Sequence, residues 1–132
     1  MIEKLLIWAL PVLLAALLSS IIMRKHKANE RFNLAGDALR EAFAPELTRL
    51  QTSEAFGLTE IPDMLKVGFA KHYAAINEFR FFLKGDDLNA FNKAWDQYQN
   101  DKNFTKYMMQ PDGGGPDNAI EDIQDILKFT KN

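Results

Sequence analysis

The 132-residue chain has no cysteine, three serines (Ser19, Ser20 and Ser53) and two histidines (His26 and His72). Without cysteine there is no disulfide, no thiolate nucleophile and no thiolate metal site. Ser19 and Ser20 fall inside an apolar run and Ser53 in a connection, so serine-based acyl transfer lacks a nucleophile beside a base. A metal centre needs several convergent ligands. His72 has Gly68 and Ile76 at its helical neighbours four residues away, and His26 abuts a basic cluster, so no ligand set assembles. Strand-type alternation is also missing, which excludes a sheet. The sequence offers no catalytic, cofactor-binding or metal-binding residue, and the chain reads as a non-enzyme without a cofactor.

What it does have is a run of 19 uncharged positions, Leu5 to Met23. As a helix at ~1.5 Å per residue this run spans about 28 Å, close to the ~30 Å hydrocarbon core of a bilayer. A cleaved signal peptide fits less well, because the densest positive charge follows the run and no small-residue cleavage pattern is present. Residues 1–23 are therefore expected to be a single-pass transmembrane anchor, with Trp8 near the outer interface and Pro11 tolerated near one end. Ala15 with Ser19, and Ala16 with Ser20, have the four-residue spacing that allows close helix association, hence a possible homodimer through the anchor. Arg24, Lys25, Lys27 and Arg31 follow the run in a basic juxtamembrane segment, 24–31, suited to contact with the membrane surface. Basic residues on that flank place the carboxy-terminal part in the cytoplasm. A nucleic-acid arm is the other reading of this cluster, but residues 32–132 carry 11 Lys+Arg against 16 Asp+Glu and would repel phosphate, so no nucleic acid is expected.

Residues 32–132 read as a helical soluble domain. Phe32, Ala35, Leu39, Phe43, Leu47 and Leu50 recur in steps of three and four, an amphipathic helix that continues from the anchor, weakened by Gly36 and kinked or divided by Pro45. Gln51 to Glu60 reads as a connection. A second helix, about Pro62 to Leu83, carries Leu65, Phe69, His72, Ile76, Phe79 and Leu83 on one face and Val67, Ala70, Ala74 and Phe81 on the other. It is expected to be central in the bundle or to present a docking surface. Gly85 should end it, with Asp86 or Asp87 capping a third helix that aligns Leu88, Phe91, Ala94, Trp95 and Tyr98. Periodicity lapses after Asn100. Pro111 to Pro116 reads as a loop with Gly113 to Gly115 as a hinge, since the run lacks the preceding strand and following Lys-Ser/Thr of a phosphate loop. A last helix from about Asp117 aligns Ile120, Ile123, Ile126 and Leu127, its acidic Glu121, Asp122 and Asp125 suiting a helix start.

The short connection after Leu83 folds the third helix back antiparallel, which brings His72, Phe79, Arg80, Phe81, Trp95 and Tyr98 to one region, the candidate interaction surface. His72 is expected to be buried and bonded to a backbone or acidic partner. The segment Leu39-Arg40-Glu41-Ala42-Phe43-Ala44-Pro45-Glu46-Leu47, then His72-x-x-Ala75-x-x-x-Phe79-Arg80-x-x-Leu83, then Phe91-x-x-Ala94-Trp95-x-x-Tyr98, resembles a group of small uncharacterised bacterial proteins, many with an amino-terminal membrane segment. The resemblance covers roughly residues 30–100. It implies a bacterial inner-membrane protein and carries over no catalytic residue. The expectation is thus an all-α chain, one transmembrane helix followed by a cytoplasmic bundle of four to five helices. Its function would be that of a membrane-anchored, non-enzymatic interaction or scaffold protein contacting the bilayer and another protein. The alternative is a membrane-tethered sensor domain binding a small apolar ligand.

Overall fold

The structure, a computed structural model, describes the backbone of residues 2–111 and 114–131 and the side chains of 12–111 and 114–131. Among these residues there are four α-helices and no strand: α1 (Ile2–Thr52), α2 (Glu60–Arg80), α3 (Gly85–Gln99) and α4 (Gly114–Leu127). Short 3-10 turns occupy Thr105–Tyr107 and Lys128–Thr130. The chain divides into two compact units, Met1–Phe32 and Asn33–Asn132.

In the first unit, every described side chain from Val12 to Glu30 is exposed. Val12, Leu13, Leu14, Leu17, Leu18, Ile21, Ile22 and Met23 lie between 56% and 68% exposed, on all sides of the helix. Among the described residues no helix is long and apolar enough to cross a membrane. The apolar run begins at Leu5, and its side chains as far as Pro11, including the roles expected of Trp8 and Pro11, lie outside the described residues.

The second unit is a bundle built from the carboxy-terminal half of α1, α2, α3 and α4. α1 buries Ala35, Leu39, Ala42, Phe43 and Leu50. Of the two outcomes expected at Pro45, a kink or a division, the division does not occur. Proline removes one backbone bond, but Pro45 lies on the exposed side of the helix, while Phe43 and Leu50 are buried on either side of it and hold the helix together. Gly36 lies against Thr130, where a Cβ would stand 3.2 Å from that residue's Cβ and carbonyl oxygen, so this glycine serves a close approach. Arg40 Nη1 donates to the Thr130 carbonyl and hydroxyl, fixing the end of the chain to α1.

α2 begins two residues earlier and ends three earlier than expected, with Phe81 at its carboxy-terminal cap. Its inner face buries Ile61, Leu65, His72, Ile76 and Phe79. The opposite face is not covered: Val67, Ala70, Ala74 and Phe81 are all exposed, so α2 is not apolar-packed on both sides. Ring contacts set α2 and α3 antiparallel, Phe79 against Phe91 and, nearer the other end, Phe69 and Tyr73 against Trp95. Gly85, at φ 56°, is the first residue of α3 rather than a stop to α2, and the cap position is Lys84. Asp86 and Asp87 lie in the first turn without capping, where their charge favours the positive end of the helix dipole.

The stretch after Asn100 is ordered by a polar turn. Asp101 accepts bonds from the Asn103 and Thr105 amides at 3.0 Å each and from the Thr105 hydroxyl. The turn holds Phe104 at a left-handed φ of 53°. Such a conformation costs about 1–2 kcal/mol for a residue with a side chain, comparable to the gain of ~1.5–3 kcal/mol from burying an aromatic ring, and Phe104 is buried here with Tyr107. The glycine hinge is also corrected. Gly114 and Gly115 are the first residues of α4, three before the expected start, and a Cβ on Gly115 would stand 2.8 Å from the Tyr107 carbonyl. Gly113 lies outside the described residues. α4 packs on α3 and buries Ala119, Ile123 and Ile126.

Candidate functional site

Glu46 follows Phe43 by three positions and precedes Leu50 by four, so the helical repeat that buries those two turns Glu46 inward as well. It is 7% exposed. Facing it from α2, the fully buried His72 places Nε2 3.2 Å from Glu46 Oε2, at ion-pair distance but without the alignment of a hydrogen bond. Lys71 Nζ donates to Glu46 Oε1 at 3.2 Å. On the other side of the imidazole, Nδ1 lies 3.4 Å from the hydroxyl of buried Tyr98 on α3. Phe43 stacks on the His72 ring at 4.0 Å between centroids and 13° between planes. Gly68, one turn before His72, leaves the room for this arrangement, since a Cβ there would stand 2.6 Å from Glu46 Oε1 and 2.9 Å from His72 Cε1.

Burial pushes the His72 imidazole below its ordinary 6.5, and the neighbouring Glu46 charge does not restore it. His72 is therefore largely neutral at pH 7. Burial pulls the Glu46 carboxyl upward, but its own backbone hydrogen bond, the imidazole of His72, which adds a charge wherever it is protonated, and the Lys71 hydrogen bond outweigh this and leave it below 4.5. Glu46 is thus charged, with the Lys71 ammonium as its counter-charge. Burial, then the Glu46 charge, pushes the Tyr98 phenol upward, so it stays protonated. Both Tyr98 and His72 are closed to solvent, and the array joins α1, α2 and α3.

Glu46 also lines an open cleft of about 630 Å³ together with Arg49, Glu60, Asp63, Met64 and Val67. Arg49 crosses it to pair with Glu60 at 3.1 Å. A second polar cluster lies at the other side of Tyr98. The Tyr107 hydroxyl donates to Asp122 Oδ2 at 2.6 Å and lies 3.3 Å from the Tyr98 carbonyl, while Gln97 and Lys106 also reach Asp122. Burial first, then the Asp122 hydrogen bond and charge, pushes the Tyr107 phenol upward. Asp122 is accordingly a tertiary contact rather than only part of an acidic helix start.

Of the six residues expected at an interaction surface, His72, Trp95 and Tyr98 do come together, but in the interior, and Phe79 is buried two turns further along α2 against Phe91. Trp95 stacks on Tyr98 at 5.6 Å. Arg80 is half-buried, its Nε without a hydrogen-bond partner, and Phe81 alone is highly exposed, at 85%. The surface is thus corrected to a core with Arg80 and Phe81 at its edge. The reason is that α2 turns the His72 face, not the Phe81 face, toward α3. Arg24, Lys25, Lys27 and Arg31 are exposed on α1. Sequence reasoning expected an acidic partner for His72 without naming Glu46; the signal was a carboxylate in phase with Phe43 and Leu50.

The interior aromatics touch one another, Tyr98 meeting Phe43, Phe104 and Tyr107 at 5.3–6.1 Å. The cavity beside Phe69 and Phe104 holds about 270 Å³ and carries Lys66, Gln99 and Lys102 at its wall, below the ~300–1,000 Å³ usual for small-molecule sites. Among the described residues no group of three or more His, Asp or Glu could hold a metal ion. No family model matches the chain, and no curated protein or solved structure is significantly similar to it.

Proposed function

We propose that the chain is a bilayer-tethered helical interaction protein, anchored by the amino-terminal part of α1 and working by binding rather than by chemistry. The observation that carries this reading is the all-round exposure of Val12 to Met23. An amphipathic helix hides its apolar stripe against a domain, whereas a helix apolar on every side calls for an apolar surrounding. With the uncharged positions from Leu5 onward in the sequence, the run reaches membrane length. Arg24, Lys25, Lys27 and Arg31 then hold the following domain on the cytoplasmic side, in a bacterial inner membrane if the resemblance to small bacterial membrane proteins carries over. Ala15, Ser19, Ala16 and Ser20 allow a second copy to approach the anchor closely. The uncovered face of α2, Val67 to Phe81, is where a protein partner would find apolar contact; Val67 is 88% exposed.

Alkaline carbonate extraction of membranes from producing cells tests the tether. The chain should stay in the membrane pellet, and release into the supernatant would overturn the reading. A reporter joined after Asn132 should report cytoplasm, and a signal from the opposite side would overturn the orientation.

A further inference from the structure

Leu13, Leu17, Ile21, Arg24, Lys27 and Arg31 follow one another on α1 in steps of four or three, the spacing that keeps residues on one face of a helix. Leu13, Leu17 and Ile21 are 62%, 60% and 56% exposed. Arg24, Lys27 and Arg31 are exposed and enter no ion pair among the described residues. The one carboxylate of this stretch, Glu30, stands off the stripe and is engaged by His26 at 3.0 Å. Side chains of a helix lean toward its amino terminus, so the three long cations reach back toward the apolar half of the stripe. Arg24 to Arg31 covers about 10 Å along the axis, within the span that a flexible arginine or lysine bridges to one headgroup layer.

We infer that this stripe is a binding site for an anionic phospholipid. An acyl chain lies along Leu13, Leu17 and Ile21, and the phosphate sits among Arg24, Lys27 and Arg31. The inference rests on the bilayer-tethered reading and names the lipid that reading leaves open. A zwitterionic headgroup brings its own ammonium toward three uncompensated cations, whereas a glycerol-type anionic headgroup does not.

The full chain, reconstituted in phosphatidylcholine vesicles, is probed with spin-labelled phosphatidylglycerol or spin-labelled phosphatidylcholine, and the motionally restricted fraction of each is measured. Phosphatidylglycerol should be enriched at the protein several-fold, the preference shrinking as salt rises. The triple variant Arg24→Gln, Lys27→Gln, Arg31→Gln should lose it, while Lys25→Gln, off the stripe, should keep it. Equal restriction of the two lipids by the inserted native chain overturns the inference and leaves the tether standing, as does loss of preference in Lys25→Gln equal to that in the triple variant. Displacement of labelled lipid by inorganic phosphate would identify an anion site instead and overturn the lipid assignment. Failure of the chain to enter the vesicles overturns the tether itself.

Discussion

Gly68→Ala should destabilise the helical domain, although a helix interior ordinarily gains from this change. Replacing glycine by alanine within a helix is worth up to about 1 kcal/mol in favour of the variant. At Gly68 the new methyl would stand 2.6 Å from Glu46 Oε1, 2.9 Å from His72 Cε1 and 3.2 Å from His72 Nε2. The carboxylate is the end of a flexible side chain, but moving it weakens its contacts with Lys71 and His72. The imidazole has less freedom still, because Phe43 is stacked on it at 4.0 Å. Overpacking of this kind costs roughly 1–3 kcal/mol, and separating a buried carboxylate from its partners adds to that, so the clash outweighs the propensity gain by about 1–2 kcal/mol. For a unit of this size the melting temperature should fall by roughly 4–8 °C per kcal/mol, readable by circular dichroism. In a double-mutant cycle with Glu46→Ala the cost of Gly68→Ala should shrink, because the closest oxygen is gone. A Gly68→Ala variant at least as stable as the native chain would refute the packing described for Glu46 and His72.

Acid should destabilise the domain in two stages. His72 titrates below 6.5 in the fold, so the unfolded chain takes up its proton first and stability declines as pH falls below that value; Glu46, below 4.5 in the fold, adds a second loss at lower pH. Denaturant midpoints measured across pH should show both losses, with His72→Gln flattening the upper one; a rise in stability on acidification would contradict the assignment. Trp95→Ala, at 2% exposure and in contact with Phe69, Tyr73 and Tyr98, should cost about 3–5 kcal/mol in chemical denaturation. Phe81→Ser, at 85% exposure, should stay within about 0.5 kcal/mol of the native value in the same assay, and a larger loss would mean that its ring is covered.

The helices were legible in the sequence because each has an apolar repeat long enough to stand out, and with it most of the inner faces of α2 and α3, although Ile61 and Gly68 were missed and Phe69, Leu88 and Ala94 are only half-buried. Three features were not. The core contribution of Phe104 and Tyr107 rests on a turn held by Asp101 side-chain bonds, which has no period to detect. Gly115 looked like a hinge because a glycine needed for backbone approach and one needed for freedom are the same letter; only the Tyr107 carbonyl at 2.8 Å distinguishes them. The candidate surface was misplaced because the repeat says which residues share a face, not which face meets a neighbour. His72 and Phe81 lie on different faces of α2, and the chain covers the first.

Glu46, His72 and Tyr98 bear on how this bundle chooses one packing. Apolar contact is non-directional, and the interior is rich in rings that could slide past one another with little change in buried area. The polar array cannot slide. Moving α2 by one turn relative to α1 would set Gly68 or Ile76 opposite the Glu46 carboxylate in place of His72, and Lys71 would move with it. A buried charge left without its partners costs on the order of 3–5 kcal/mol, a large part of the ~5–15 kcal/mol that separates a folded domain from its unfolded chain. Tyr98 ties α3 into the same register through the second imidazole nitrogen. The array therefore penalises the alternative packings more than it stabilises the native one. On that account Glu46→Gln, which keeps the shape and a hydrogen-bonding oxygen, should be tolerated far better than His72→Leu, which takes away the imidazole that faces both Glu46 and Tyr98 and so removes the joint between α1, α2 and α3.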